Sequence, residues 1–112
     1  MSTFEKELSE PWFSLTKYKI KKVEGRLNKG DFSKMQIGDS IFFTNNDLGF
    51  ERSFLIKIKK ISNYETFEEY LKNEGLEKTL PTVESIEDGI KVYYKYYTKN
   101  DELKYKIKAF TF

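Results

Sequence analysis

The chain has 112 residues, of which 38% are apolar and 17% aromatic, so it can build one compact core but not two independent ones. Its 20 basic and 18 acidic residues leave a net charge of only +2, which excludes a histone-like polycation and limits nucleic-acid contacts to local patches. The absence of Cys and His excludes disulfides and thiolate zinc sites and removes the commonest general base. We expect one domain over residues 1–112 with no cofactor and no metal, although a carboxylate-only Mg²⁺ site stays open.

The N-terminal residues lack the basic region and apolar run of a secretory signal. The sequence also lacks an apolar stretch of about 18 residues, the minimum length for a transmembrane helix. We therefore expect a cytoplasmic protein that does not contact a membrane.

The first half of the chain predicts a short helix followed by strands. Proline suits the first turn of a helix, which favours a helix from Pro11 to about Tyr18. A strand is predicted from Lys21 to Leu27, and the sequence Asn-Lys-Gly-Asp at 28–31 ends it in a turn. Gly38 and the aspartate after it then turn the chain into a strand at 41–44.

The next segment predicts a β-hairpin. Residues 45–49 (Asn-Asn-Asp-Leu-Gly) are rich in turn formers, and beyond them Phe54, Ile56 and Ile58 alternate with other side chains at a period of two. The strand at 41–44 and this second strand are the two arms of the hairpin.

The second half predicts helices and a final strand. Thr66 and Glu69 have the spacing of a capping box ahead of a helix that Gly75 ends. Ser85 can cap a longer helix, with one apolar and aromatic face made of Ile86, Ile90, Tyr93, Tyr94 and Tyr97.

The last segment, Tyr105 to Phe112, predicts a strand covered on both faces near its end. The order of the predicted elements favours an α+β fold with a small, mainly antiparallel, barrel-like sheet.

Charge is distributed unevenly along the chain. Residues 17–29 contain six basic residues and one acid, Glu24, and a second basic cluster consists of Lys57, Lys59 and Lys60. Residues 65–88 reverse this balance with eight acids and two lysines. A pocket for one flipped or free nucleoside fits this distribution better than a surface for duplex nucleic acid does.

One segment carries a family resemblance. Between Pro11 and Asp31 a proline-led helix precedes a lysine and then Glu-x-Arg, so that Lys21, Glu24 and Arg26 fall on the pattern K-x-x-E-x-R. This pattern resembles the signature of the ASCH domain family, and the segments 38–43, 67–76 and 89–93 resemble its later parts. The chain departs from the family at residues 19–22, where Lys-Ile-Lys-Lys replaces Gly-x-Lys-Thr.

The resemblance implies a small PUA-like (ASCH), mainly antiparallel β-barrel flanked by helices that recognises RNA or a nucleoside. One ASCH branch is an amidohydrolase that deacetylates N(4)-acetylcytidine, and its catalytic lysine, threonine and glutamate correspond to Lys21, Glu24 and Glu74. Glutamate at the threonine position removes the covalent acyl-threonine route, so that Glu24 or Glu74 would have to activate water. Arg26 can stabilise the oxyanion that develops.

We predict that the substrate-binding residues are Arg26, Trp12, Phe13 and Tyr93, and that the partner is a modified nucleoside or single-stranded RNA. One alternative is a non-catalytic RNA-binding module that uses the same basic pocket, and another is a ribonuclease. An ordinary salt-bridge cluster of Lys21, Glu24 and Arg26 also satisfies the spacing. The oligomeric state stays open.

Overall fold

The computed structural model describes residues 1–112 as six strands and six helices. The strands are β1 (Thr3–Glu7), β2 (Val23–Leu27), β3 (Ser40–Asn45), β4 (Arg52–Lys57), β5 (Lys60–Tyr64) and β6 (Ile107–Thr111). The helices are α1 (Trp12–Lys17), α2 (Asp31–Lys34), α3 (Phe67–Glu74), α4 (Leu76–Thr79), α5 (Ile86–Tyr94) and α6 (Lys99–Tyr105). None of these helices has the length and apolar character needed to cross a membrane.

The strands form two three-stranded sheets, in the orders β1-β3-β4 and β2-β6-β5. The β1 and β3 strands are parallel, and the other pairs are antiparallel. The α+β class is confirmed, but the strands do not close into the barrel that we expected. The chain changes sheets between β4 and β5, because the amide of Ile58 donates to Asp39 beside β3 and the amide of Lys59 donates to Thr111 on β6.

The first sheet contains the predicted hairpin and one strand that was not predicted. The β3 and β4 strands form the predicted antiparallel hairpin, and Phe43 lies opposite Phe54 in it. The β1 strand contains a single apolar residue, Phe4, so its sequence has no period-two hydrophobic signal. The carboxylate of Asp39 accepts hydrogen bonds from the amides of Ser2 and Gln36, both at 2.9 Å, and so holds the start of β1 beside β3.

The β6 strand is central in the second sheet and contributes to two hydrophobic clusters. Ile107 and Ala109 belong to the cluster formed with α3 and α5, and Phe110 belongs to the cluster formed with α1, β3 and the residues around them. Trp12 packs against both clusters. The prediction that this last strand is covered on both faces is confirmed.

The predicted helix caps are present. The Thr66 side chain accepts a hydrogen bond from the amide of Glu69 at 3.1 Å, and the Ser85 side chain accepts one from the amide of Asp88 at the same distance. The α5 helix ends at Tyr94. The α6 helix was not predicted, although the side chain of Thr98, the residue before its first turn, caps it in the same way.

A buried carboxylate connects three helices. Glu102 on α6 accepts hydrogen bonds from the amide of Phe67 at 2.7 Å and from the hydroxyl of Tyr94 at 2.6 Å. The first amide of α3 has no partner within its own helix, so the carboxylate satisfies a donor that would otherwise be unpaired. This contact joins α6 to α3 and α5 beside the second sheet.

Gly25 lies in the middle of β2 because the ring of Tyr70 leaves no room for a side chain. A Cβ at this position would lie 2.4 Å from the nearest Tyr70 ring atom. The ring is fully buried and its hydroxyl bonds to the hydroxyl of Tyr93 at 2.9 Å, so it cannot move away freely. The absence of a side chain at Gly25 therefore fixes the distance between β2 and α3.

We expect Gly25→Ala to lower the free energy of unfolding by about 1–3 kcal/mol, as overpacking in a tight core does. Urea denaturation of both proteins measures the difference. In a Tyr70→Leu background, Gly25→Ala should lower the free energy of unfolding much less, because the clashing ring atoms are gone. An equal cost in both backgrounds would show that the ring is not the obstacle.

Candidate functional site

A cavity of about 250 Å³ lies between β2 and the tyrosine-rich end of α5. Charged side chains from the region of β2 line one part of it, namely Lys21, Glu24 and Arg26. Aromatic side chains line another part, namely Trp12, Tyr93, Tyr96 and Tyr97. The cavity therefore combines fixed charges with flat apolar walls, which is typical of small-molecule sites.

The carboxylate of Glu24 lies between two cations. One oxygen is 3.1 Å from the ammonium nitrogen of Lys21, and the other accepts a hydrogen bond from Nε of Arg26 at 2.8 Å. Burial acts to raise the pKa of Glu24, but the attraction of Lys21 and then of Arg26 outweighs burial and lowers the pKa. The cavity therefore contains an ionised carboxylate held in one orientation.

Lys21 is the most deeply buried of the three charged groups, with 1% of its side chain exposed. Its ammonium group donates to the backbone carbonyls of Val23 and Thr79 as well as to Glu24. Burial lowers the pKa of Lys21, and the attraction of Glu24 opposes this effect. Three acceptors require three N–H donors, which only the protonated form supplies. Lys21 is therefore a fixed cation that orients Glu24 and joins β2 to α4.

Arg26 holds its guanidinium group at the edge of the cavity. Its Nε donates to Glu24, and its Nη2 donates to the carbonyl of Glu7 at 3.4 Å. Its guanidinium carbon lies 4.9 Å from the centre of the Phe32 ring. Burial raises the pKa of the Tyr97 hydroxyl, and the nearby positive charge of Arg26 partly offsets this shift. Arg26 thus lies between the carboxylate and the aromatic wall.

Five of the seven predicted site residues line this one cavity: Lys21, Glu24, Arg26, Trp12 and Tyr93. Glu24 and Arg26 share one face of β2 because they occupy alternate positions of the strand, and Lys21, two residues before β2, reaches Glu24 through an ion pair. The tryptophan and the tyrosine reach the cavity from α1 and α5.

The structure places Phe13 and Glu74 elsewhere. Phe13 is fully buried, with its ring centre 5.1 Å from that of Phe54 and 4.9 Å from the guanidinium carbon of Arg52. Glu74 accepts a hydrogen bond from the hydroxyl of Tyr64. Burial and then the Glu74 carboxylate raise the pKa of Tyr64 to about 12. Neither Phe13 nor Glu74 lines the cavity, and nowhere do three acidic side chains converge where they could hold a metal ion.

Two aromatic residues of the site were not selected from the sequence. Tyr96 was not considered, and Tyr97 was assigned to the apolar face of a helix that in fact ends at Tyr94. Beyond the end of the helix the chain turns, so that both rings line the cavity, and 62% of Tyr96 is exposed. Four tyrosines within residues 93–97 were the signal that could have identified them.

The sequence model of the ASCH domain matches residues 7–112. The chain therefore belongs to the ASCH domain family, which is associated with RNA binding.

Two solved structures resemble the whole fold. The crystal structure of hypothetical protein PH0355 shares 37% identity over 99% of this chain and 96% of its own, with a TM-score of 0.85. The solution NMR structure of protein PF0455 from Pyrococcus furiosus shares 37% identity over 99% of this chain and 94% of its own, with a TM-score of 0.77. No curated protein matches significantly.

The lowered pKa of Glu24 predicts a specific pH dependence of stability. A carboxylate whose pKa is lower in the folded than in the unfolded chain stabilises the fold above its ordinary value of 4.5, and this contribution is lost as the pH falls through the folded value. The stability difference between the wild type and Glu24→Gln should therefore change as the pH falls from about 7 to about 3, with the wild type losing more. Denaturation at a series of pH values measures this difference, and a constant difference would contradict the assignment.

Proposed function

We propose that this ASCH domain binds one unpaired base of the cytosine type in the cavity beside β2, either as a nucleoside or as part of single-stranded RNA. The observation that carries the proposal is the ionised carboxylate of Glu24, held beside the guanidinium group of Arg26 among aromatic rings. The association of the family with RNA supports the same class of ligand.

The two charged groups suit the pairing edge of cytosine. An ionised carboxylate only accepts hydrogen bonds, and a guanidinium group only donates them. Cytosine presents an exocyclic amine beside acceptor atoms, so that the amine can face Glu24 while the acceptors face Arg26. Uracil has a carbonyl oxygen in place of the amine, and this oxygen would face the carboxylate without a hydrogen bond.

The size and the walls of the cavity favour a single base. Sites for drug-sized ligands have volumes of about 300–1,000 Å³, and this cavity is slightly smaller, at about 250 Å³. The rings of Trp12, Tyr96 and Tyr97 offer faces on which an unstacked base can lie. Because Glu24 is already held by two cations, its side chain loses little further freedom when a base binds.

Trp12 provides a direct test, because it is the only tryptophan and it lines the cavity. Titration with cytidine should change its fluorescence, and uridine should bind about 10- to 100-fold more weakly, because it leaves the buried carboxylate unpaired. Salt should affect the affinity very little, since neither nucleoside carries a phosphate.

The matched controls are two substitutions of the same kind. Glu24→Gln should remove the preference for cytidine over uridine, whereas Glu74→Gln, which changes a carboxylate outside the cavity, should retain it. Equal affinities of the wild type for cytidine and uridine, or a Trp12 signal that no nucleoside changes at millimolar concentration, would refute the proposed base site.

A second candidate function is hydrolysis of N(4)-acetylcytidine in the same cavity. In this reaction a water molecule attacks the acetyl carbon while Glu24 accepts its proton, and Arg26 stabilises the oxyanion. The C–N bond to the exocyclic nitrogen then breaks, the proton passes to that nitrogen, and acetate and cytidine leave. The position of Glu24 beside Arg26 supports this route, but a carboxylate with a lowered pKa is a weak base, so we expect slow turnover.

The absorbance change that accompanies cytidine formation measures this activity. We expect Glu24→Gln to abolish turnover and Lys21→Ala to reduce it, provided that both variants remain folded. Glu74→Ala should retain activity because Glu74 does not line the cavity. Loss of activity in Glu74→Ala, in a protein that still folds, would instead support the family's glutamate at that position and contradict the route through Glu24.

A further inference from the structure

A second, larger depression lies beside the cavity that we propose for the base. It has a volume of about 720 Å³ and is lined by the end of α1, the segment after it, and β4. We call it the lysine groove, because five exposed lysines line it: Lys17, Lys19, Lys22, Lys57 and Lys59. These residues come from the two basic clusters that lie apart in the sequence, and the fold brings both clusters to one groove.

The five lysines carry uncompensated positive charge. None of them lies within 4.0 Å of a carboxylate, whereas ion pairs occur elsewhere on the same molecule, such as Lys72 with Glu68 and Lys6 with Asp31. No acidic residue lines the groove. Because all five lysines line one groove, their like charges add to a local positive potential that attracts a polyanion.

The groove also has an apolar part. Phe54, Ile56 and Phe112 line it, and so does Leu55, of which 61% is exposed. One exposed and three half-buried apolar side chains beside the lysines suit a ligand that alternates charged groups with flatter, less polar ones. Single-stranded nucleic acid is such a ligand, because its phosphates alternate with sugars and bases.

Lys19 occupies a backbone position that normally favours glycine. Its φ is +63°, and α1 ends there in a Schellman motif, with the amide of Lys19 bonded to Thr16 and the amide of Ile20 bonded to Leu15. A lysine in this left-handed conformation is strained, whereas a glycine would not be. The chain therefore keeps a positive charge at the groove where local backbone conformation alone would favour glycine.

Lys21 is shared by the groove and the cavity that we propose for the base. It is the one residue that lines both, and its ammonium group bonds to the carboxylate of Glu24 in the cavity. Because Lys21 is almost fully buried, it forms a wall that the cavity and the groove share, so the two sites are adjacent.

We propose that the lysine groove binds the sugar-phosphate backbone of the single-stranded RNA whose base enters the cavity. The inference rests on the proposed function for the identity of that base and on the groove's own residues for the phosphate contacts. Each phosphate neutralised on a single strand contributes about 0.7 to the slope of log affinity against log salt. Five such contacts give a slope of about 3.5, which is about a 100-fold loss of affinity between 50 and 200 mM salt.

The test uses fluorescence anisotropy of a labelled ten-residue oligocytidylate at a series of salt concentrations. The groove variant carries Lys19→Gly, Lys22→Ser and Lys57→Ser, of which the first also relieves the strained backbone. A control variant removes the same charge from exposed lysines outside the groove, with Lys34→Ser, Lys91→Ser and Lys104→Ser. We expect the slope to fall by about 2 in the groove variant and to stay near the wild-type value in the control.

Several outcomes would overturn the proposal. One is an equal decrease of the salt slope in the groove variant and the control variant. The others are a wild-type affinity that does not respond to salt, and binding to phosphatidylserine vesicles without binding to the oligonucleotide. Titration of Trp12 with free cytidine reports on the cavity separately. A groove-dependent slope without a cytidine signal would support the groove and refute the base site, whereas a cytidine signal with no effect of the groove variant would do the reverse.

Discussion

The carboxylate of Glu24 is buried on β2, an outer strand of the second sheet, and a buried charge is stable only because it is paired on both sides. Lys21 supplies one partner and also bonds to Thr79, which ties α4 to β2. Arg26 supplies the other partner and reaches the carbonyl of Glu7 at the end of β1. The same ion pairs that define the cavity thus hold together the elements around it.

The packing around β2 gives these charges their position. Gly25 lies between Glu24 and Arg26, and the Tyr70 ring fills the space that a side chain at position 25 would occupy. The hydroxyl of Tyr70 bonds to Tyr93, whose ring stacks on Phe67 with 4.6 Å between the ring centres. The site therefore lies on a rigid strand and a tightly packed aromatic core, so its charged groups are arranged before a ligand arrives.

Local sequence signals predicted much of the fold. Thr66 and Ser85 cap helices because a hydroxyl followed three residues later by an acidic residue satisfies free amides within the same turn. The hairpin was predicted from the turn formers at 45–49 and from the apolar residues that recur at every second position from Phe54. By contrast, β1 has almost no hydrophobic signal and forms because β3 offers an edge to which it can add. The division into two sheets likewise depends on hydrogen bonds from Ile58 and Lys59 to residues far away in the chain.

The candidate site divides in the same way. The sequence by itself determined that Glu24 and Arg26 lie on one face, because a strand fixes the spacing and direction of its own side chains, and it placed Lys21 only two residues before that strand. Only the tertiary structure decided that Glu74 bonds to Tyr64, away from the cavity, and that two separate lysine clusters line one groove. Contacts of this second kind depend on how distant elements pack, and no local pattern of residues encodes the direction in which a helix end or a loop will face.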